Sequence, residues 1–265
     1  MISVWRLIGR TCKMHCYENL VNCLTCWLIL MGVIHLLTHR KIQSSYGRHM
    51  ALSPPVRTVP ARLAWFIQEV PALVIPLLLM VTSQKPSIIG IYMVLGTFSL
   101  HYFQRTVIYS LLIKGKPFPL STMVAGAIFC ILNGSLQGHY LLHCSPLDDE
   151  WSADYRCRTG LVVFYVGMAI NIHSDYILRN LRKPGEEAYK IPTGGLFEYV
   201  SGANYLGEII EWFGFALATW SLPALAFALF TLSFIGPRAY YHHRFYQEKF
   251  KDYPKIRKAL IPFII

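Results

Sequence analysis

Glu69 is the only acidic residue between Glu18 and Asp148, and it opens a long apolar run together with Trp65 and Gln68. A lone carboxyl is costly to ionise in apolar surroundings. As a neutral acid it can donate a hydrogen bond to a carbonyl oxygen, as a tyrosine hydroxyl can. The next apolar run supplies such a hydroxyl at Tyr102, with His101 before it and Arg105 three residues on. Donors of this kind stabilise the enolate charge that develops when hydride adds to a conjugated enone. A Glu69–Arg105 ion pair that locks two helices is the structural alternative, and helical spacing does not separate the two.

A second set of polar residues repeats at helical intervals. Asn171, Asp175 and Arg179 are four apart, with Arg182 three further on, and Asn204, Glu208 and Glu211 follow the same rhythm. Such spacings align side chains along one helical face. Ionisable groups inside a membrane face a bundle interior or a wet cavity, so two stripes on two helices predict a shared polar cavity. The alternative is a hydrogen-bond network that holds the helices together. Between the stripes lie Arg182, Lys183, Gly185, Tyr189, Lys190, Gly194 and Gly195. Cations neutralise phosphate and glycine lets backbone amides approach it, while carboxylates and amides suit ribose or adenine. That is the inventory of a nucleotide site, although no G-x-G-x-x-G fingerprint or P-loop is present. The aromatic and basic run from Tyr240 to Tyr246, containing His242, either stacks over a nucleotide or forms an interfacial belt. The basic stretch 249–258 reads as a surface facing anionic lipid headgroups.

The elements that position these residues must be membrane helices. Of 265 residues, 54% are hydrophobic and 15% charged, against roughly 25% charged in soluble domains. A soluble enzyme and a disordered chain are both excluded. Runs of about 20 apolar residues occur near 20–37, 64–82, 88–112, 119–142, 159–178, 203–221 and 222–240. The expected fold is therefore all-α, a bundle of seven transmembrane helices whose cytosolic loops close a nucleotide site. Pro71 and Pro76 should kink the second helix, which neighbouring helices make tolerable. Ser221, Leu222 and Pro223 should form the turn of a hairpin between the last two. The first run lacks a small-residue cleavage site and reads as an uncleaved helix. Of 25 Lys and Arg residues, 18 fall in the first, third and fifth loops and the C-terminus, 6 fall opposite, and Arg105 lies within a span. This bias puts the C-terminus in the cytosol. The seven cysteines are odd in number and show no disulfide-rich spacing. The Cys23/Cys26 pair reads as apolar helix filling, and Cys12, His15 and Cys16 lack a second ligand pair, so no metal is expected.

These residues resemble a known family. The run Asn171-Ile172-His173-Ser174-Asp175-Tyr176-Ile177-Leu178-Arg179-Asn180-Leu181-Arg182-Lys183-Pro184-Gly185 is similar to steroid 5α-reductases (3-oxo-5α-steroid 4-dehydrogenases). So are Gly195-Leu196-Phe197-Glu198-Tyr199, Gly202-Ala203-Asn204-Tyr205-Leu206-Gly207-Glu208, Trp65-Phe66-Ile67-Gln68-Glu69 and His101-Tyr102-Phe103. The stretch 216–228 and the ending Lys258-Ala259-Leu260-Ile261-Pro262-Phe263 look closest to the type 2 branch. The resemblance runs from about residue 46 to the C-terminus. It divides the chain into an N-terminal segment, 1–45, with the first helix, and a reductase-like domain, 46–265. Within that domain, 46–145 would lie mainly on the substrate side and 146–265 mainly on the NADPH side.

The resemblance implies a multi-pass enzyme of the endoplasmic reticulum membrane. Its reaction would be NADPH-dependent reduction of the 4,5 double bond of 3-oxo-Δ4 steroids that enter from the bilayer. Gln68, Glu69 and Tyr102 would surround the 3-oxo group, with Glu69 and Tyr102 polarising it. Asn171, Asp175, Arg179, Arg182, Asn204, Glu208, His242 and Tyr246 would hold NADPH, with Tyr46, Arg48, Trp65 and Tyr189 as further contacts. Partners would be steroid and membrane lipid, with no nucleic acid and no metal. Lys116 and Lys190 stand where the family pattern has Arg, keeping charge without bidentate contact, and Ile113 and Ala125 replace Asn and Arg. The polar residues read alone leave the lipophilic substrate open: polyprenol or long-chain enoyl-CoA reductases would keep the same donors. An S-adenosylmethionine-dependent methyltransferase would need fewer phosphate-seeking cations. A seven-helix sensor would give no reason for the stripes.

Overall fold

The computed structural model describes residues 16–38, 57–83, 89–182, 186 and 188–265. Tyr46, Arg48, Lys183 and Gly185 lie outside the described residues. A helix forms in each of the seven apolar segments. They are α1 (Glu18–Thr38), α2 (Ala61–Thr82), α3 (Ile89–Phe103), α4 (Leu120–His139), α5 (Tyr155–Asn180), α6 (Ala203–Thr219) and α7 (Leu222–Lys249). Helix α3 continues through a π-helical stretch, Gln104–Tyr109, into a last turn at Ser110–Leu112, and α4 ends in a π-helical turn, Tyr140–Cys144. Among the described residues five helices, α1, α2, α4, α5 and α7, are long and apolar enough to cross a membrane. Helix α6 has 17 residues, about 25 Å at 1.5 Å per residue, somewhat under a hydrocarbon core of about 30 Å. Leu30, Leu78, Val81 and Val162 expose over half their surface. Apolar exteriors of this extent mark a surface that meets lipid, and the chain is a multi-pass membrane protein.

Lipid offers little hydrophobic drive for helix association, so close backbone packing must supply it. The most extensive interface joins α5 to α6, and glycines make it. A methyl group added at Gly160 would meet Ala218 backbone, at Gly167 the backbone of Glu211, at Gly207 that of Asn171 and at Gly214 that of Phe164. The seam α2–α4 follows similar logic. Pro71 and Pro76 lie within α2, and Gly134 and Gly138 of α4 face Ala72 and Pro76. Helix α1 lies along α7, where Gly32 meets Phe230 and Ser233 and His35 stacks on Phe234 at 3.8 Å. Aromatic rings fill the centre: Trp212 lies 4.4 Å from Phe227 and 5.7 Å from Phe98, centroid to centroid.

The expected hairpin is present. Trp220 takes a left-handed conformation (φ 46°) after α6, and the Ser221 side chain accepts from Ala224 N to cap α7. Helix α7 then runs to Lys249, carrying the aromatic run beyond the expected end at 240. At one end of the bundle a disulfide joins Cys16 to Cys144. No cysteine spacing foretold this pairing across 128 residues. At that end Asp154 caps α5, accepting from Arg156 N and from its guanidinium, and Arg156 holds the Asp154 carboxyl below its usual range. At the other end, β1 (Thr58–Val59) pairs antiparallel with β2 (Phe118–Pro119). The C-terminal segment also folds inward there. Val200 bridges Lys258, Arg257 is buried and donates to Pro192 O at 3.0 Å, and Tyr253 is buried. Residues 249–258 are therefore not solely a headgroup-facing surface, because this segment packs against the loop before α6.

The glycine seam yields a paired prediction. Gly167→Ala must push the α5 and α6 backbones apart and should destabilise by on the order of 1–3 kcal/mol. A methyl at Gly96 meets nothing within 4 Å, so Gly96→Ala should be neutral or gain up to about 1 kcal/mol of helix propensity. Thermal melting of the detergent-purified variants checks this, and equal melting of Gly167→Ala and wild type would contradict the seam.

Candidate active site

Five helices, α2 to α6, bring the polar residues of the interior together. Glu69 of α2 is buried; Gln68 Nε2 donates to its Oε1 at 2.8 Å, and the Cys130 thiol of α4 lies 3.7 Å from Oε2. Gly126 makes room for Gln68: a methyl there would lie 2.5 Å from the Gln68 amide. Tyr102 of α3 is buried, within electrostatic reach of Glu69 and Cys130 and facing the Asn133 amide. Gln68, Glu69 and Tyr102, read from sequence as one constellation, are thus gathered around the α2–α3–α4 junction.

Arg105 does not pair with Glu69. Its Nη1 donates to Asp175 Oδ2 of α5 at 3.0 Å, and its guanidinium lies 4.1 Å from the Tyr109 ring and 4.9 Å from the Trp65 ring. The π-helical stretch explains this reach. Gln104, Arg105 and Thr106 are consecutive and all buried, an arc wider than one α-helical face provides, and π-bulges often mark functional sites. About one turn before Arg105, His101 Nδ1 lies 2.7 Å from Glu211 Oε1 of α6. The His101 ring packs against Tyr102 at 5.1 Å and Trp212 at 4.4 Å. Glu211 Oε2 is buried with no hydrogen-bond partner. Glu208, one turn earlier and half-buried, lies within electrostatic reach of Glu69, His101, Arg105 and Asp175. Where α5 and α6 touch, Asn171 Nδ2 donates to Asn204 O at 2.9 Å, so this amide serves the helix network that the spacing also allowed.

The remaining expected residues lie towards the end of the bundle that carries the 182–202 loop. Arg179 sits in the last turn of α5, its guanidinium 5.6 Å from the Tyr176 ring, and Arg182 is half-buried just beyond. Gly194 and Gly195 hold positive φ angles of 91° and 54°, a conformation glycine adopts without strain. His242 Nε2 meets the Tyr205 hydroxyl at 3.4 Å, and Tyr189 packs on Phe245 at 4.7 Å under Lys249. Tyr246 is buried and stacked on Tyr253, its centroid 5.6 Å away with planes 2° apart. Sequence reasoning assigned no role to Cys130, Asn133 or Gln137. All three are buried, and their spacing of three and four residues was the available signal.

Comparison with known proteins bears on what this arrangement serves. Residues 116–265 match the family described as 3-oxo-5-alpha-steroid 4-dehydrogenase. The chain is 52% identical over 255 residues to "3-oxo-5-alpha-steroid 4-dehydrogenase 2" of Homo sapiens, covering 95% of this chain and 99% of that one. It is 58% identical over 224 residues to the protein of the same description from Sus scrofa, covering 83% and 88%. To "3-oxo-5-alpha-steroid 4-dehydrogenase 1" of Homo sapiens it is 46% identical over 250 residues, covering 93% and 96%.

The buried Arg105–Asp175 pair gives a stability test. Removing one partner strands a buried charge, so Arg105→Met alone should cost about 3–5 kcal/mol, whereas the Arg105→Met/Asp175→Leu double variant should recover much of that loss. Melting in detergent reads both; a double variant as unstable as the single would show that the pair is not what holds α3 to α5.

Proposed function

The chain belongs to the 3-oxo-5-alpha-steroid 4-dehydrogenase family, oxidoreductases acting on a CH–CH bond, and from that premise we propose that it reduces the 4,5 double bond of 3-oxo-Δ4 steroids with NADPH. The carrying observation is the convergence of Glu69 and Tyr102, two buried hydrogen-bond donors from different helices, inside an apolar bundle. An apolar enone entering from lipid needs no aqueous path. Its 3-oxo oxygen would take hydrogen bonds from Glu69 and Tyr102, with Gln68 fixing the Glu69 carboxyl. These donors stabilise negative charge on that oxygen as hydride reaches C5, which is where oxyanion-type stabilisation acts. Protonation at C4 then restores the ketone and completes the addition of two hydrogens.

The residues present fit a phosphorylated dinucleotide. From Asn171 to Arg179 the stripe rises about 12 Å along α5, and Arg182 follows just beyond the helix end. The stripe runs from the Arg105–Asp175 pair beside the donors to the half-buried cations Arg179 and Arg182. Arg179 and Arg182 would take phosphate, and Glu208 and Asn204 suit hydroxyl or amide groups. His242, Tyr246, Tyr189 and Trp65 would add aromatic walls, and Tyr46 and Arg48 belong to the same proposed set. When bound, the nicotinamide supplies the hydride. The C-terminus would face the cytosol and the Cys16–Cys144 disulfide the endoplasmic reticulum lumen, where thiols are oxidised. The disulfide supports this because it joins the N-terminal end to the acidic fourth loop, both assigned to the lumen by charge bias.

Two experiments decide the proposal. Microsomes containing the protein should convert testosterone to dihydrotestosterone with NADPH; well-expressed protein inert towards several 3-oxo-Δ4 steroids would end the steroid reading. Glu69→Gln and Tyr102→Phe should lower kcat by about 10²-fold or more with NADPH affinity within about threefold, and full turnover in either would remove that residue from its donor role. For orientation, a C-terminal tag on sealed microsomes should be open to protease without detergent, while a tag protected until detergent is added would reverse the topology.

A further inference from the structure

The face of α4 that looks into the site carries Cys130, Asn133 and Gln137, at intervals of three and four residues, and all are buried, Asn133 and Gln137 completely. Cys130 lies against Glu69, and the Tyr102 side chain is within interaction range of Asn133. One helix thus backs both proposed carbonyl-polarising donors. The orientation of Asn133 follows from chemistry. Gln137 Nε2 lies 3.1 Å from Pro223 O and 3.2 Å from Asn133 Oδ1. The Pro223 carbonyl can only accept, so the Gln137 nitrogen must face it. That nitrogen then donates to Asn133 as well, which places the Asn133 oxygen towards Gln137 and its nitrogen away, towards Tyr102. Asn133 Nδ2 is buried and makes no hydrogen bond, although Tyr102 is within interaction range. A fully buried amide donor is expensive to leave unmade, so its retention calls for a use.

We propose that Asn133 is a positioning residue that acts through Tyr102: its amide donates to the Tyr102 oxygen, directing the phenolic proton at the 3-oxo group of the steroid. A hydroxyl that accepts one hydrogen bond donates the next more strongly, and its rotor loses its other settings. The chain Pro223–Gln137–Asn133–Tyr102 therefore ties the donor's aim to the start of α7, well away from the reacting carbons. The proposal rests on the reading of Tyr102 as a donor to the substrate carbonyl.

A double-mutant cycle on the full-length enzyme in microsomes, with testosterone and NADPH as probes, tests it. Asn133→Leu, close in volume, should lower kcat between about three- and tenfold, the scale of one net hydrogen bond, with steroid KM and NADPH affinity within about twofold. In a Tyr102→Phe background the same change should cost less than about twofold. Losses that multiply across the two positions, or a KM that rises with kcat unchanged, would overturn the proposal. Should Asn133→Leu fail to accumulate, Gln137→Met leaves Asn133 in place but releases its orientation. That variant should show a smaller loss confined to kcat and absent from the Tyr102→Phe background; an additive loss there overturns the proposal equally. Full turnover of Tyr102→Phe alone would instead refute the donor role from which the inference starts, so the two failures are told apart.

Discussion

Backbone contact between α5 and α6 is the constraint on which the interior depends. Gly160 and Gly167 on one helix and Gly207 and Gly214 on the other bring the main chains together. Only at that distance can the Asn171 side chain reach the Asn204 carbonyl. The same approach sets Asp175 and Glu211 within reach of α3, so that Arg105 and His101 each meet a carboxylate from a different helix. Larger residues in the seam would separate the stripes and leave four ionisable groups without partners in a medium that supplies none.

The pairing inside the bundle also divides labour among the acids. Asp175 and Glu211 are engaged by Arg105 and His101, so Arg105 acts on Glu69 through space and makes its close ion pair with Asp175. The close contacts of Glu69 are an amide and a thiol, neither of which neutralises it. A carboxyl paired with Arg105 would be held as carboxylate and could only accept hydrogen bonds. The proposed donor role of Glu69 would therefore depend on the Arg105–Asp175 ion pair, which is also a strut between α3 and α5.

Sequence periodicity revealed the seven apolar helices, the hairpin at Ser221–Pro223 and the two polar stripes, because each depends on local spacing alone. It also identified Gln68, Glu69 and Tyr102 as candidates, since isolated polar residues in apolar runs stand out. Partner choice was not legible. Glu69 and Asp175 were equally available to Arg105 by charge, and the π-helical widening at Gln104–Tyr109, which decides where Arg105 points, has no compositional mark. The Cys16–Cys144 link depends on tertiary proximity. Arg257 read as a surface cation because its burial rests on partners distant in sequence, Pro192 O and the Glu198 carboxylate. Asn133 was passed over as one amide in an ordinary helix; its significance lies in the group that Gln137 makes it face.

The two ends of the bundle are held by different chemistry, and the difference suits the proposed topology. One end is tied covalently by Cys16–Cys144. The other is closed by hydrogen bonds: the β1–β2 pair, the Val200–Lys258 bridge, Ser201 with His243 and Tyr253, and Arg257 on Pro192. A lipophilic substrate can reach the interior laterally between helices, so the covalent end need not move. A charged, water-soluble cofactor cannot take that route, because each phosphate would cross apolar surface at great cost. The proposed cofactor would have to enter through an end whose contacts can be exchanged for contacts to itself, and the end closed by hydrogen bonds, flanked by Arg179 and Arg182, meets that requirement.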